Sequence, residues 1–113
     1  MKKNILSLFA LLLMLCACSD VVNQKAYDML SSARYLFHHG HFAEAKDSIL
    51  ALRQKYPTAI EVRKQAILLL DSIEMAAAAD SMQYVQGEEW ERLHIKQQFF
   101  ERKLLEDKKK ENE

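Results

Sequence analysis

An all-α fold without a sheet is the expectation for this 113-residue chain, and three observations carry it. Ala, Leu, Lys, Glu and Gln dominate, all of them good helix formers. Apolar residues recur at helical spacing, and β-branched residues never alternate with polar ones over a strand's length. Two Gly and one Pro are the only strong breakers, which leaves room for few turns. The length allows one small domain. Sixteen acidic residues balance sixteen basic ones, which is not the basic footprint of a nucleic-acid binder.

Residues 1–17, MKKNILSLFALLLMLCA, have the three parts of a secretory signal. Lys2 and Lys3 form the charged region, Ile5 to Leu15 the apolar one, and small Ala17 precedes the break. The apolar run is shorter than the roughly 20 residues needed to span a bilayer.

Leu15-Cys16-Ala17-Cys18 resembles the lipobox of bacterial lipoproteins. Ala17 stands just before Cys18 and Leu15 three places before it; Cys16 is the departure, an unusual occupant of a permissive position. The resemblance implies cleavage before Cys18, which becomes the acylated N-terminus and anchors the protein durably through more than one chain. By the same resemblance, Ser19 after the cysteine implies the outer membrane, and the lack of an acidic run implies its periplasmic face. Removal of residues 1–17 leaves 96 residues, with sixteen acidic against fourteen basic. On that count no electrostatic clamp to anionic lipid is expected. No thiol remains for a disulfide, so packing alone must hold the exported domain.

Residues 18–24 read as a lipidated polar tether, with Ser19, Asp20 or Asn23 able to cap the first helix. The helical domain follows over 25–106. From about Val22 to His38, Ala26, Met29, Leu30, Ala33, Leu36 and Phe37 share one face. Gly40 is suited to the left-handed conformation that closes a helix. A second helix from Phe42 to Tyr56 carries Phe42, Ala45, Ile49 and Leu52 on its stripe and stops at Pro57.

Residues 26–59 resemble one divergent 34-residue tetratricopeptide repeat. With Ala26 as the first position, small Ala33 and Ala45 fall at the eighth and twentieth. Leu36, Ile49 and Pro57 fall at the eleventh, twenty-fourth and thirty-second, and Gly40 and Phe42 at the turn. Met29, Ser32 and Leu52 depart from the family's usual Trp, Leu and small residue. Ala33 and Ala45 are expected to let the two helices approach closely.

A lone repeat leaves its apolar face open. A third helix is expected over 60–86, capped by Thr58 with Glu61 three residues on. Ile60, Ala66, Ile67, Leu70, Ile73 and Ala77 lie on one side, and Leu68, Leu69 and Met75 on the other. Such a helix is buried on more than one side. After Gly87 a fourth helix is expected over 88–106. Two geometries compete for it: folding back on the third helix, or projecting to pair with another chain. The charged tail 107–113 is expected to fray.

His38, His39 and His41 form the one cluster with metal-ligand chemistry, but a zinc site needs three or four ligands in tetrahedral geometry, no Cys is near to complete it, and Glu44 is the closest carboxylate. His94 beside Glu88 and Glu91, and the scattered serines, have no catalytic context. Neither catalysis nor a metal, a cofactor or a small-molecule substrate is expected. The chain resembles small tetratricopeptide-like lipoproteins of Gram-negative bacteria over Cys18 to about Met82. It is more loosely similar to the lipoprotein subunits of outer-membrane assembly complexes. Binding of an envelope protein is what the resemblance implies, with Trp90, Leu93, Phe100 and Leu104 as the candidate docking face. Self-association through the last helix is the alternative.

Overall fold

A computed structural model describes the backbone of residues 2–112 and the side chains of residues 4–11 and 21–112. The fold is all-α, with no strand among the described residues. Four helices follow one another: α1 (Lys2–His38), α2 (Phe42–Lys55), α3 (Ile60–Met82) and α4 (Glu88–Asn112). The chain runs up α1, down α2, up α3 and down α4.

No Gly or Pro occurs before Gly40, so nothing in the backbone chemistry breaks α1. The helix is therefore continuous through 18–24, where a tether was expected, and no cap forms at Ser19, Asp20 or Asn23. The side chains of Cys18 and of the expected cleavage site lie outside those described.

At the top of α1 the amide of His41 donates to the carbonyl of Leu36 at 2.9 Å and that of Gly40 to Phe37 at 3.1 Å. These two bonds, with Gly40 at φ 79°, form a Schellman closure. α2 ends at Lys55, one residue short of Tyr56, because Pro57 constrains the residue before it.

α3 departs from expectation at both ends. Ala59, not Thr58, occupies its N-cap, without a side-chain bond. The Tyr56–Thr58 turn takes Thr58 out of the cap position, and Arg63 Nη1 ties that turn down by donating to the carbonyl of Pro57 at 2.8 Å. Glu61 pairs with Lys64 instead. The helix stops at Met82 rather than 86, tightening through bonds from Gln83 to Asp80 and from Tyr84 to Ser81. Gly87, at φ 71°, then reverses the chain.

α4 folds back along α3 and touches no other element. It runs to Asn112, six residues beyond the expected end, so the described part of the tail is helical. Asp107 pairs with Lys103 one turn back, and Lys109 and Lys110 sit at the helix C-terminus, where cations are favoured.

The main core lies between α1, α2 and the first half of α3. Ala26, Leu30, Ala33, Ala45, Ile49, Leu52, Val62, Ala66 and Ile73 are buried there, and Leu36 and Phe42 pack at its margin. Arg34 on α1 donates to Gln65 on α3 at 2.9 Å, which latches the hairpin to its cover. Ala33 and Ala45 expose no surface. A leucine at either position is therefore expected to overpack the hairpin and lower unfolding stability by about 1–3 kcal/mol. Urea unfolding of the detergent-solubilised chain measures this, and a midpoint equal to wild type contradicts the close packing.

Candidate functional site

The two carboxylates Asp71 and Glu74 lie near the middle of α3, in a stretch where Ser72 is the one other polar residue between Ala66 and Ala79, and both are buried. They are three residues apart and so point to the same side of the helix. Lys46 of α2 reaches Glu74 at 2.6 Å, and Lys96 of α4 reaches its other oxygen at 3.1 Å. One turn lower, Lys103 of α4 bridges Asp71 at 2.9 Å and Asp107 at 2.7 Å. The result is a clasp of lysines and carboxylates that joins α2, α3 and α4.

The clasp is electrically uneven. Burial penalises ionised Asp71 and, with a hydrogen bond to Asp107, outweighs Lys103 and pushes its carboxyl up to about 6. The oxygen of Asp71 that does not meet Lys103 is buried and receives no hydrogen bond, in keeping with a proton of its own held there part of the time. Burial also opposes ionisation of Glu74, but the bonds from Lys46 and Lys96 together outweigh it and keep this carboxyl below its ordinary range. Asp107 is likewise held down, first by its bond with Asp71 and then by Lys103.

Apart from the clasp, α4 meets α3 through a stripe of half-buried residues. Leu93, Phe100 and Leu104 belong to it, and no residue of α4 is fully buried. Leu104 and Gln97 border a groove with Ser72, Met75 and Ala76 of α3. The expected docking face of Trp90, Leu93, Phe100 and Leu104 is thus largely the inner side of α4, spent on covering α3. Ile95 (64% exposed) and Phe99 (55%) lie on the outer side.

The histidines do not converge. His39 Nδ1 donates to the carbonyl of Tyr35 at 2.8 Å while its ring stacks on Tyr35. His38 packs near Phe37, and His41 lines a shallow notch with Glu44 and Asp80. No group of three metal-binding side chains occurs among the described residues. His94 stacks on Trp90 and meets Gln98, and it has no hydrogen bond to Glu88 or Glu91. Among the described residues the arrangement offers surfaces and a charged clasp, without an assembled ligand cage. No helix among the described residues is long and apolar enough to cross a membrane.

Reasoning from sequence missed Asp71 and Glu74. Their signal was visible: two carboxylates three apart in a helix apolar on both sides have no solvent face to occupy. Each therefore needs a cation from a neighbouring helix. No family model matches this chain, and no curated protein or solved structure matches it either.

The clasp makes stability depend on pH in a definite sense. Asp71 is raised on folding, so its favourable contribution is complete below its unfolded value of 3.8 and fades as pH rises through about 6. Glu74 is lowered, so its contribution is present above 4.5 and is lost as pH falls below that. Stability is therefore expected to pass through a maximum between about pH 4 and 4.5. Asp71→Asn keeps an acceptor for Lys103 and a donor for Asp107 without the buried charge. It is expected to stabilise the protein at pH 7.5 by about 1–2 kcal/mol and to remove the loss between about pH 4 and 6. Thermal unfolding of both proteins across that range decides the matter, and parallel pH curves contradict the assignment.

Proposed function

We propose that this protein is a lipid-anchored component of the cell envelope, held in the outer membrane through acylated Cys18 and facing the periplasm. There it serves as a helical protein–protein interaction or scaffold module, without catalysis. The observation that carries the reading is the signal and lipobox pattern over residues 1–18 joined directly to a small helical domain. The all-α fold supports it, because α1 and α2 form an antiparallel pair whose open side is covered by α3, as a divergent tetratricopeptide unit requires.

A protein partner is the occupant proposed for the outer side of α4, where Ile95 and Phe99 are exposed next to Arg102 and Glu106. This replaces the face containing Leu93, Phe100 and Leu104, which covers α3. Function here is inferred from anchor and architecture, and an architecture of this kind serves many partners.

Metabolic labelling with palmitate, followed by crosslinking in cells and mass spectrometry, tests both halves. Wild type is expected to take up label and to crosslink to an envelope protein. Cys18→Ala is expected to lose the label, and Ile95→Ser combined with Phe99→Ser to lose the crosslink while keeping the label. A labelled Cys18→Ala protein contradicts the anchor. An unchanged set of partners in the folded double variant contradicts the docking face.

A further inference from the structure

The charges of this chain cancel as a sum but not in space. α2 opens with Glu44 and closes with Arg53 and Lys55; α4 opens with Glu88, Glu89 and Glu91 and closes with Lys109 and Lys110. Matching of charge to the helix dipole accounts for that gradient. It does not account for the order of side chains along the outer side of α4. At about 100° per residue, Glu88, Glu91 and Arg92 there lead into Ile95 and Phe99, and Arg102, Glu106, Lys109 and Lys110 follow. All are exposed, and Phe99, Arg102, Glu106 and Lys110 border one shallow groove. Among the described residues, Arg92 is the only one of these charges with an ion-pair partner, Glu89 at 3.9 Å. α4 packs on α3 alone, so no other element of the fold covers this side.

The stripe is complementary to itself when reversed. Arg92 and Glu106 lie seven residues either side of Phe99, and Glu88 and Lys110 lie eleven either side of it. A second α4 laid antiparallel, with Phe99 on the two-fold axis, therefore meets Arg92 with its own Glu106 and Glu88 with its own Lys110. Glu91 comes within a turn of the copy's Lys109, and Ile95 rests between the copy's Phe99 ring and the stem of its Arg102. Two-fold symmetry makes each of these contacts twice. Other placements bring like charges together. Moving the axis to residue 97 sets Arg92 against Arg102 and Glu88 against Glu106, and parallel pairing sets every charge level with its own copy.

We infer that the outer side of α4 is a self-complementary surface on which two copies of this chain pair antiparallel, with Phe99 on the axis. This rests on the docking face proposed above, whose occupant it names, and it does not require the anchor. The apolar centre is small, Ile95 and Phe99 from each copy, and the ion pairs around it are exposed. Such pairs fix direction and register more than affinity, and a contact of this size is a reversible one. α1 runs opposite to α4, which puts the N-termini of the two α1 helices at opposite ends of the pair. Two acylated copies in one bilayer then pair with their bodies lying along it.

The test uses the full chain in cells, with envelope fractions treated with a short bismaleimide and wild type as the background for the native cysteines. Gln98→Cys, an exposed position beside the axis, is expected to give a crosslinked dimer. Glu88→Cys alone is not, because its two copies stand about 33 Å apart; Glu88→Cys combined with Lys110→Cys is. In the Gln98→Cys background, Phe99→Ser is expected to lose the dimer, Arg92→Glu to reduce it several-fold, and addition of Glu106→Arg to the latter to restore it. No dimer from Gln98→Cys, or a dimer from Glu88→Cys alone, overturns the inference, and failure of Glu106→Arg to restore overturns the register. Benzoylphenylalanine in place of Gln98 separates this from the docking face itself. A photo-crosslink only to a different polypeptide overturns the second copy and leaves the face standing, and no crosslink at all overturns both.

Discussion

Two-sided burial of α3 is the constraint on which the rest of this structure depends. Its apolar residues run around most of the helix, from Val62 and Ala66 on one side to the half-buried Leu68 and Met75 on the other. In water such a helix has to be covered twice. The α1–α2 hairpin supplies one cover, and its own open face is filled in return. α4 supplies the other, which is why it turns back at Gly87 instead of projecting.

The two covers differ in kind. On the hairpin side the packing is small and dry, with Ala26, Ala33, Ala45 and Ala66 all fully buried, so the helices come close. On the α4 side no residue of the covering helix is fully buried, and lysine–carboxylate pairs do much of the joining. Buried ion pairs bring little net stability, because desolvation offsets their attraction. They are strict about position, however. Lys96 and Lys103 lie two turns apart on α4 and meet two carboxylates less than one turn apart on α3, with Asp107 taking a second proton donor of Lys103. A slip of one turn would leave Asp71 or Glu74 unpaired in an apolar setting. The clasp thus fixes the register of a seam whose half-buried leucines alone would tolerate several.

Much of this was legible in the residues. Apolar periodicity located α2, the core face of α1 and the doubly buried α3, and Gly40 and Pro57 marked the turns that the backbone uses. The boundaries that differ have local causes. Continuity of α1 through 18–24 follows from the lack of any breaker, which outweighs the polar character of Ser19 to Gln24. The helical tail follows from the Lys103–Asp107 pair and from favourable cations at the C-terminus. The inner and outer sides of α4 were not separable from sequence, since Phe99 and Phe100 are adjacent and equally apolar. Only the position of α3 decides which of them is covered. The charge polarity of the domain was hidden for a similar reason: a sum over the chain contains no direction.

As a whole the described residues form a long first helix that extends beyond a compact helical body, with an apolar strip of α4 still uncovered. Everything proposed for that strip assumes that α4 stays docked on α3. Hydrogen exchange of the backbone amides, resolved by segment at neutral pH, tests this most directly. Docking predicts that amides over residues 92–107 are protected in common with those of α3 and open together with them. Exchange of that segment at the rate of an isolated helix, while α1, α2 and α3 remain protected, would contradict it.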